Sequence, residues 1–252
     1  MDNDVPTLAT LEKLVTSADI RDRAFAAGVL ALQPVTLQQR ENQGLRERIR
    51  ETARLQHADL RRRIYDGTLD RQAFLAMLRD APIETRDHLV EEILDIAYLP
   101  PNEIPRDVNR PPSGLAEILF AIDRANLDST RTFVDLGSGA GKVVLLVALL
   151  TGARTIGIEI DPVLASRARA ASQSLGRAIE IIEGDIRNLP LPPADVYYMY
   201  IPFIGSAEVV ARLRSLAAER RILVFSQALP LATLPWLKPK NTSSYWLEMY
   251  ES

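Results

Sequence analysis

Between Thr132 and Asp161 the chain reads T-F-V-D-L-G-S-G-A-G-K-V-V-L-L-V-A-L-L-T-G-A-R-T-I-G-I-E-I-D, and few folds accommodate such a run. A short apolar stretch, Phe133 to Leu136, meets glycines at alternate positions, Gly137, Gly139 and Gly141. A segment apolar on every side follows, about Lys142 to Leu150, and a β-branched stretch then ends in Glu159. The pattern predicts buried strand, glycine turn, buried helix and second strand, which is half of a doubly wound α/β nucleotide site. Gly137 and Gly139 let the chain reverse and bring backbone N–H groups against a ligand; Gly141 is expected to let the helix pack close to the sheet. An adenosine derivative suits that geometry.

Two familiar glycine patterns do not match. A P-loop needs G-x-x-x-x-G-K-[ST], but Leu136 stands five residues before Gly141 and Val143 follows Lys142. The dinucleotide fingerprint fails because Lys142, not glycine, lies three residues after Gly139. What remains is D-x-G-x-G-x-G, with Asp135 on the strand itself. Downstream, I-E-I-I-E-G-D-I-R predicts another strand, about Ile179 to Glu183, that delivers Asp185 to the same edge. Asp161 and Pro162 supply a cap and a first-turn proline for the intervening helix, which Gly176 closes.

These residues resemble the cofactor signature of class I, seven-stranded S-adenosylmethionine (SAM) methyltransferases. The resemblance implies an α/β fold with a doubly wound, mostly parallel, Rossmann-like sheet. It implies SAM as cofactor and S-adenosylhomocysteine as product. By the same likeness Asp135 lies near the methionyl end, Glu159 takes the ribose hydroxyls and Asp185 meets the adenine. Gly137, Ser138, Gly139 and Gly141 form the loop, and Ile160 and Ile186 can sandwich the base with apolar surface. The run F-V-D-L-G-S-G-A-G-K-V-V-L looks most like the disruptor-of-telomeric-silencing histone-lysine methyltransferase family, over about Ser113 to Leu150.

The rest of the chain is read around that unit. Residues 1–98 form an all-helical extension with no convincing strand, a lid, dimerisation element or docking surface. Residues 99–112 form a proline-rich linker, and residues 113–252 the SAM-binding domain. Leu45, Ile49, Ala53, Leu60 and Ile64 fall near helical spacing. From Arg40 to Arg63 that helix carries eight arginines against four acids. A face for nucleic acid is one reading of it, and a solvated face of i, i+4 charge pairs is the preferred one. His57 and His88 are more often packing residues than general bases. The segment before the first sheet-packing helix commonly forms a lid in class I methyltransferases, which makes Pro111, Pro112 and Ser113 lid candidates. Ser113 is equally an expected N-cap for a helix from Gly114 to Asn126.

At the acceptor side A-D-V-Y-Y-M-Y-I-P-F-I-G predicts a strand that emerges at Tyr200, Pro202 and Phe203, the substrate-channel candidates. Family members that methylate amino groups often carry Asn or Asp here before prolines and an aromatic. This chain has the prolines and aromatics without the amide, which argues against adenine or glutamine as acceptor. Transfer to a protein lysine amine is the preferred expectation, with RNA or a small molecule as alternatives. No catalytic side chain is named, because in-line transfer needs positioning more than a base. A SAM-binding or partner-binding module that transfers nothing is the competing class. The tail T-S-S-Y-W-L-E-M-Y reads as a terminal strand, alone or paired with a short strand before it, and is short for the usual closing hairpin; Trp236 and Trp246 are expected in core or interface.

Composition narrows the rest. The 252 residues include no cysteine and two histidines, so thiolate and histidine-rich metal sites are not expected. A net charge of −3 gives no global pull toward nucleic acid. No membrane span or signal peptide is evident, and a cytoplasmic location is the expectation.

Overall fold

The computed structural model describes residues 58–80, 86–96, 113–200, 206–227, 231–244 and 247–252, with 10, 13, 14, 17 and 22 as isolated positions. The chain divides into two compact units, Met1–Tyr98 and Leu99–Ser252.

In the first unit three helices are described: α1 (Ala58–Tyr65), α2 (Arg71–Asp80) and α3 (Arg86–Leu94). Ile64, Phe74, Leu78, Val90, Ile93 and Leu94 are buried. α2 starts where Asp70 accepts the N–H groups of Gln72 and Ala73, at 3.0 and 3.1 Å, which satisfies two of the donors a helix start leaves open. Of the arginine-rich helix expected from Arg40 to Arg63, only the α1 portion lies within the described residues; there Arg62 and Arg63 are exposed and Ile64 is buried. Leu45, Ile49, Ala53 and His57 lie outside them, as does the linker at 99–112 with Pro111 and Pro112.

The second unit is one sheet with helices on it. Its elements are α4 (Leu115–Ala125), β1 (Thr132–Leu136), α5 (Lys142–Thr151), β2 (Arg154–Glu159), α6 (Pro162–Leu175), β3 (Ile179–Glu183), β4 (Val196–Tyr200), α7 (Ser206–Glu219), β5 (Leu223–Gln227), β6 (Lys238–Ser244) and β7 (Leu247–Glu251). The strand order is β3-β2-β1-β4-β5-β7-β6, with β1 to β5 parallel and β7 antiparallel to both neighbours. Order therefore reverses between β1 and β4, and doubly wound sheets place ligands beyond the strand ends at such a point. The expected doubly wound, mostly parallel α/β sheet is the one observed.

Burial follows the pattern that predicted it. β1 and β2 are buried on both faces, as parallel strands covered by helices must be. α5 is buried along nearly its whole length, which is why its sequence shows no polar stripe. On one face of the sheet Val134, Leu136, Ile156, Ile158, Tyr197 and Val224 pack with Val209 and Leu213 of α7. On the other, Phe225 meets Phe120 of α4 edge to face, with centroids 6.3 Å apart, and Phe133 lies 6.0 Å from Tyr198. Trp236 is partly buried against the core; Trp246 lies outside the described residues.

One expectation is corrected and another is only partly met. Ser113 does not cap α4: Gly114 occupies the cap position with extended backbone and no side-chain hydrogen bond, while Ser113 is buried beside it. The terminal strand is paired with one before it, and that strand is not short. Lys238–Ser244 and Leu247–Glu251 form a full antiparallel hairpin, with an irregularity between Lys240 and Ser243. β6 lies at the sheet edge, where polar and charged residues discourage edge pairing, so its sequence carries no apolar alternation to detect.

Candidate functional site

The C-terminal ends of β1, β2 and β3 lie side by side and level, since Leu136 pairs with Ile158 and Glu159 with Glu183. The chain leaving β1 turns at once across β2: the N–H groups of Gly137 and Ser138 both donate to the Ile158 carbonyl, at 2.9 and 3.0 Å. Gly137 and Gly139 hold φ values of 97° and 55°, and a Cβ on either would meet nothing within 4 Å. The loop thus presents bare backbone to open space, as close approach of a ligand requires. Gly141 differs from expectation. A Cβ there would lie 3.1 Å from the Ala168 Cβ on α6, so its bareness serves the approach of two helices rather than of helix and sheet.

Three carboxylates stand at these ends. Asp135 is 2% exposed, and burial, helped by the nearby Glu159 charge, pushes its carboxyl up to about 8. Glu159 closes β2; its Oε2 accepts the Gly139 N–H at 2.7 Å and its Oε1 the Asp161 N–H at 2.8 Å. Asp161 is occupied as the cap of α6, accepting from Val163 and Leu164. Asp185 lies two residues beyond β3 in a tight turn. Its carboxylate accepts from the Arg187 backbone and Nε at 2.9 Å each, from Arg187 Nη2 at 2.7 Å and from Asn188 Nδ2 at 3.2 Å. Those bonds hold its carboxyl below the usual range.

Apolar surface flanks the acids unequally. Ile160 is 59% exposed, large for an isoleucine beside a buried strand end, while Ile186 is 9% exposed and belongs to the core. The structure therefore brings Asp135, Gly137, Ser138, Gly139, Glu159, Ile160 and Asp185 to one strand edge. Tyr200 ends β4, two strands from β2. Pro202 and Phe203 lie outside the described residues, and His88 is placed on α3.

The residues present fit SAM on three observations: open space over Gly137 and Gly139, uncovered apolar surface at Ile160, and a buried acid, Asp135, whose ionised form a cationic ligand would favour. Among the described residues there is no grouping of His, Asp and Glu suited to a metal, and no helix long and apolar enough to cross a membrane.

Some residues that shape the site were not singled out from sequence. Gly157, in mid-β2, is one: a Cβ there would come within 2.6 Å of the Ser138 Oγ. A glycine inside the β-branched run T-I-G-I-E was the available signal. Arg212 on α7 is another. Its Nη1 donates to the Ile186 and Leu189 carbonyls at 3.2 and 2.5 Å and its Nη2 to that of Arg187, so it caps the turn bearing Asp185. Nothing in a helix-face arginine announces that partner.

Sheet order, glycine loop and strand-end acids give the second unit the fold and the cofactor-site pattern of class I SAM-dependent methyltransferases. Within that class, residues 115–184 match the family model of Histone methylation protein DOT1. The chain is 32% identical over 102 residues to a probable ribosomal RNA small subunit methyltransferase A of Methanospirillum hungatei, covering 39% of each protein. It is 31% identical over 103 residues to the histone-lysine N-methyltransferase, H3 lysine-79 specific, of Cryptococcus neoformans, covering 34% of this chain and 16% of that one. The aligned stretches span two-fifths or less of these relatives' own length. A solved structure, an RNA methyltransferase from Salinibacter ruber in complex with S-adenosyl-L-homocysteine, is similar over 56% of this chain and 92% of its own, with 27% identity and a TM-score of 0.46.

Proposed function

We propose that the protein transfers a methyl group from SAM to an amine nitrogen, with a protein lysine as acceptor. The observation that carries the cofactor part is the level edge of β1, β2 and β3, where a bare glycine loop, Glu159, Asp185 and the uncovered Ile160 converge. Lysine is supported by the match of residues 115–184 to a histone methylation family, and by a net charge of −3 that lends no general affinity for nucleic acid.

SAM supplies an activated methyl on a positively charged sulfur. The chain's part is to place it. Glu159 is set to receive hydroxyl donors and Asp185 an amino donor, while the glycine loop, its N–H groups tied to Ile158 and Glu159, offers a ligand close approach to bare backbone. Charge is neutralised during transfer, so water exclusion and alignment of the acceptor lone pair carry most of the catalysis. The adenine amino group of RNA is a second reading, favoured by the similarity to ribosomal RNA methyltransferase A and to a dimethyladenosine transferase of Dictyostelium discoideum.

Incubation with methyl-labelled SAM and a cell lysate, split between protease and nuclease treatment, tests the assignment. Label lost to protease and recovered as methyl-lysine on acid hydrolysis is the expected result. Label lost only to nuclease replaces lysine with RNA, and tight SAM binding without any transfer refutes an enzyme.

A further inference from the structure

Gln227 is the last residue of β5, and among the described residues its amide oxygen is buried without a hydrogen-bond partner, a state it shares with the hydroxyls of Ser138, Thr155 and Ser226 but as the one amide. An unmade bond at a dry acceptor costs free energy, and native proteins seldom keep one without a use for it. The residue as a whole retains partial exposure, so the amide stands at the rim of the interior.

Register locates it. Asp135 pairs with Tyr198, Tyr198 pairs with Phe225, and Gln227 follows Phe225 by two. Side chains alternate along a strand, so Asp135, Tyr198, Phe225 and Gln227 share one face. At ordinary strand spacing Gln227 stands roughly 10 Å across the sheet from Asp135 and about 7 Å further toward the ligand edge. The acid on β1 marks the methionyl side of the proposed cofactor site. A group displaced from it by that distance, beyond β4, faces the nucleophile rather than the cofactor.

We infer that Gln227 is the hydrogen-bond acceptor for the amine nitrogen of the methyl acceptor, supplying from β5 the amide that residues 200–203 lack; this rests on the proposed function. The amide oxygen takes one N–H of the neutral amine and leaves the lone pair directed at the methyl carbon. The nitrogen lone pair forms the new C–N bond, the S–C bond breaks with its electrons left on sulfur, and the methylated nitrogen gives its proton to water. Because an amide carries no charge, it does not favour the unreactive ammonium form, as a carboxylate in its place would.

The test compares wild type with Gln227→Ala, Gln227→Asn and Gln227→Glu, after melts confirm which variants fold. The readouts are SAM affinity by calorimetry and the initial rate of labelled-methyl incorporation into lysate protein at saturating SAM, from pH 6 to 10. Expected are SAM affinities within twofold of wild type and a rate at least about tenfold lower in Gln227→Ala. Gln227→Glu should move the rising limb of the pH–rate curve upward by about one unit, because its carboxylate raises the acceptor amine's pKa. A folded Gln227→Ala or Gln227→Asn protein working at the wild-type rate overturns the inference. So does a rate loss matched by an equal loss of SAM affinity, or an unmoved limb in Gln227→Glu. Wild-type protein that neither binds SAM nor labels anything overturns the proposed function as well, which separates the two failures.

Discussion

Gly157→Ala isolates the contact that lays the glycine loop on the sheet. Its backbone is ordinary β2, so alanine meets no conformational penalty, and only space is at issue. The new Cβ would sit 2.6 Å from the Ser138 Oγ, 2.8 Å from the Ser138 Cβ and 3.1 Å from the Ile181 Cδ1. The isoleucine terminus can move aside and a χ1 rotation can remove the hydroxyl. The Ser138 Cβ is fixed to the loop backbone and cannot leave without it. Restoring an ordinary 3.4 Å contact from 2.8 Å lifts the loop by 3.4 − 2.8 = 0.6 Å. That stretches the Gly137 and Ser138 N–H bonds to the Ile158 carbonyl, now 2.9 and 3.0 Å, to the edge of usefulness.

Overpacking of this kind costs about 1–3 kcal/mol, of which some 0.4–1 kcal/mol is offset by the smaller entropy of the unfolded alanine chain. A net loss of about 1–2 kcal/mol corresponds to a fall of roughly 2–8 °C in Tm for a chain of this size. Affinity for S-adenosylhomocysteine should fall by about tenfold or more, because the displaced loop is the bare backbone on which a ligand packs. Calorimetry and thermal melts read both quantities. The double variant Ser138→Gly with Gly157→Ala removes the colliding atoms and should recover most of the lost affinity. A single variant with wild-type Tm and affinity, or a double variant no better than the single, refutes this account of the loop.

Asp135, neutral in the fold below about 8 and ionised in the unfolded chain above about 4, makes the native state the proton-richer one; its contribution to stability is complete below pH 4 and is lost as pH rises to about 8. Binding a sulfonium beside it should release a proton near pH 7, seen as a buffer-dependent binding enthalpy that vanishes in Asp135→Asn; a buffer-independent enthalpy in wild type would contradict that placement. Asp135→Ala combined with Glu159→Ala should abolish SAM binding in calorimetry, and unchanged affinity would dismiss the assigned pocket. Arg212→Gln should weaken S-adenosylhomocysteine about tenfold while leaving its 6-deamino analogue within twofold, because the turn it caps carries only the adenine-facing acid; equal losses for both ligands would reduce Arg212 to a general structural role.

The parts of the site legible in the sequence are those where backbone geometry itself dictates residue type. Positive φ at Gly137 and Gly139 requires glycine, and buried parallel strands require apolar runs that end where the ligand lies. Asp135, Glu159 and Asp185 are readable because they stand at or within two residues of the ends of such runs. The remainder depends on contacts between distant segments. Gly157 answers to Ser138, Arg212 reaches carbonyls more than twenty residues away, and Gln227 is marked by an amide oxygen that no described residue bonds, at the ligand end of β5. The extent of β6 is hard to read for the opposite reason, since an edge strand need not alternate.

The polar groups at the proposed site are already engaged within the protein, and this limits where binding energy can originate. Glu159 holds the Gly139 N–H and Asp185 holds Arg187, so a ligand's hydroxyls and amino group exchange bonds rather than add them. Exchanges of that kind yield little net free energy each, though they discriminate strongly against ligands that cannot complete them. Affinity must then come from groups not yet engaged. The side chain of Ile160 offers apolar area, and covering it contributes at roughly 25 cal/mol per Å². The buried Asp135 offers latent charge, released when a cation makes its ionisation favourable. On this account SAM owes its selection to Glu159 and Asp185, and its tightness to Ile160 and Asp135. Ile160→Ser should therefore weaken SAM and its demethylated product alike, whereas Asp135→Asn should weaken SAM more, because only SAM carries the sulfonium charge.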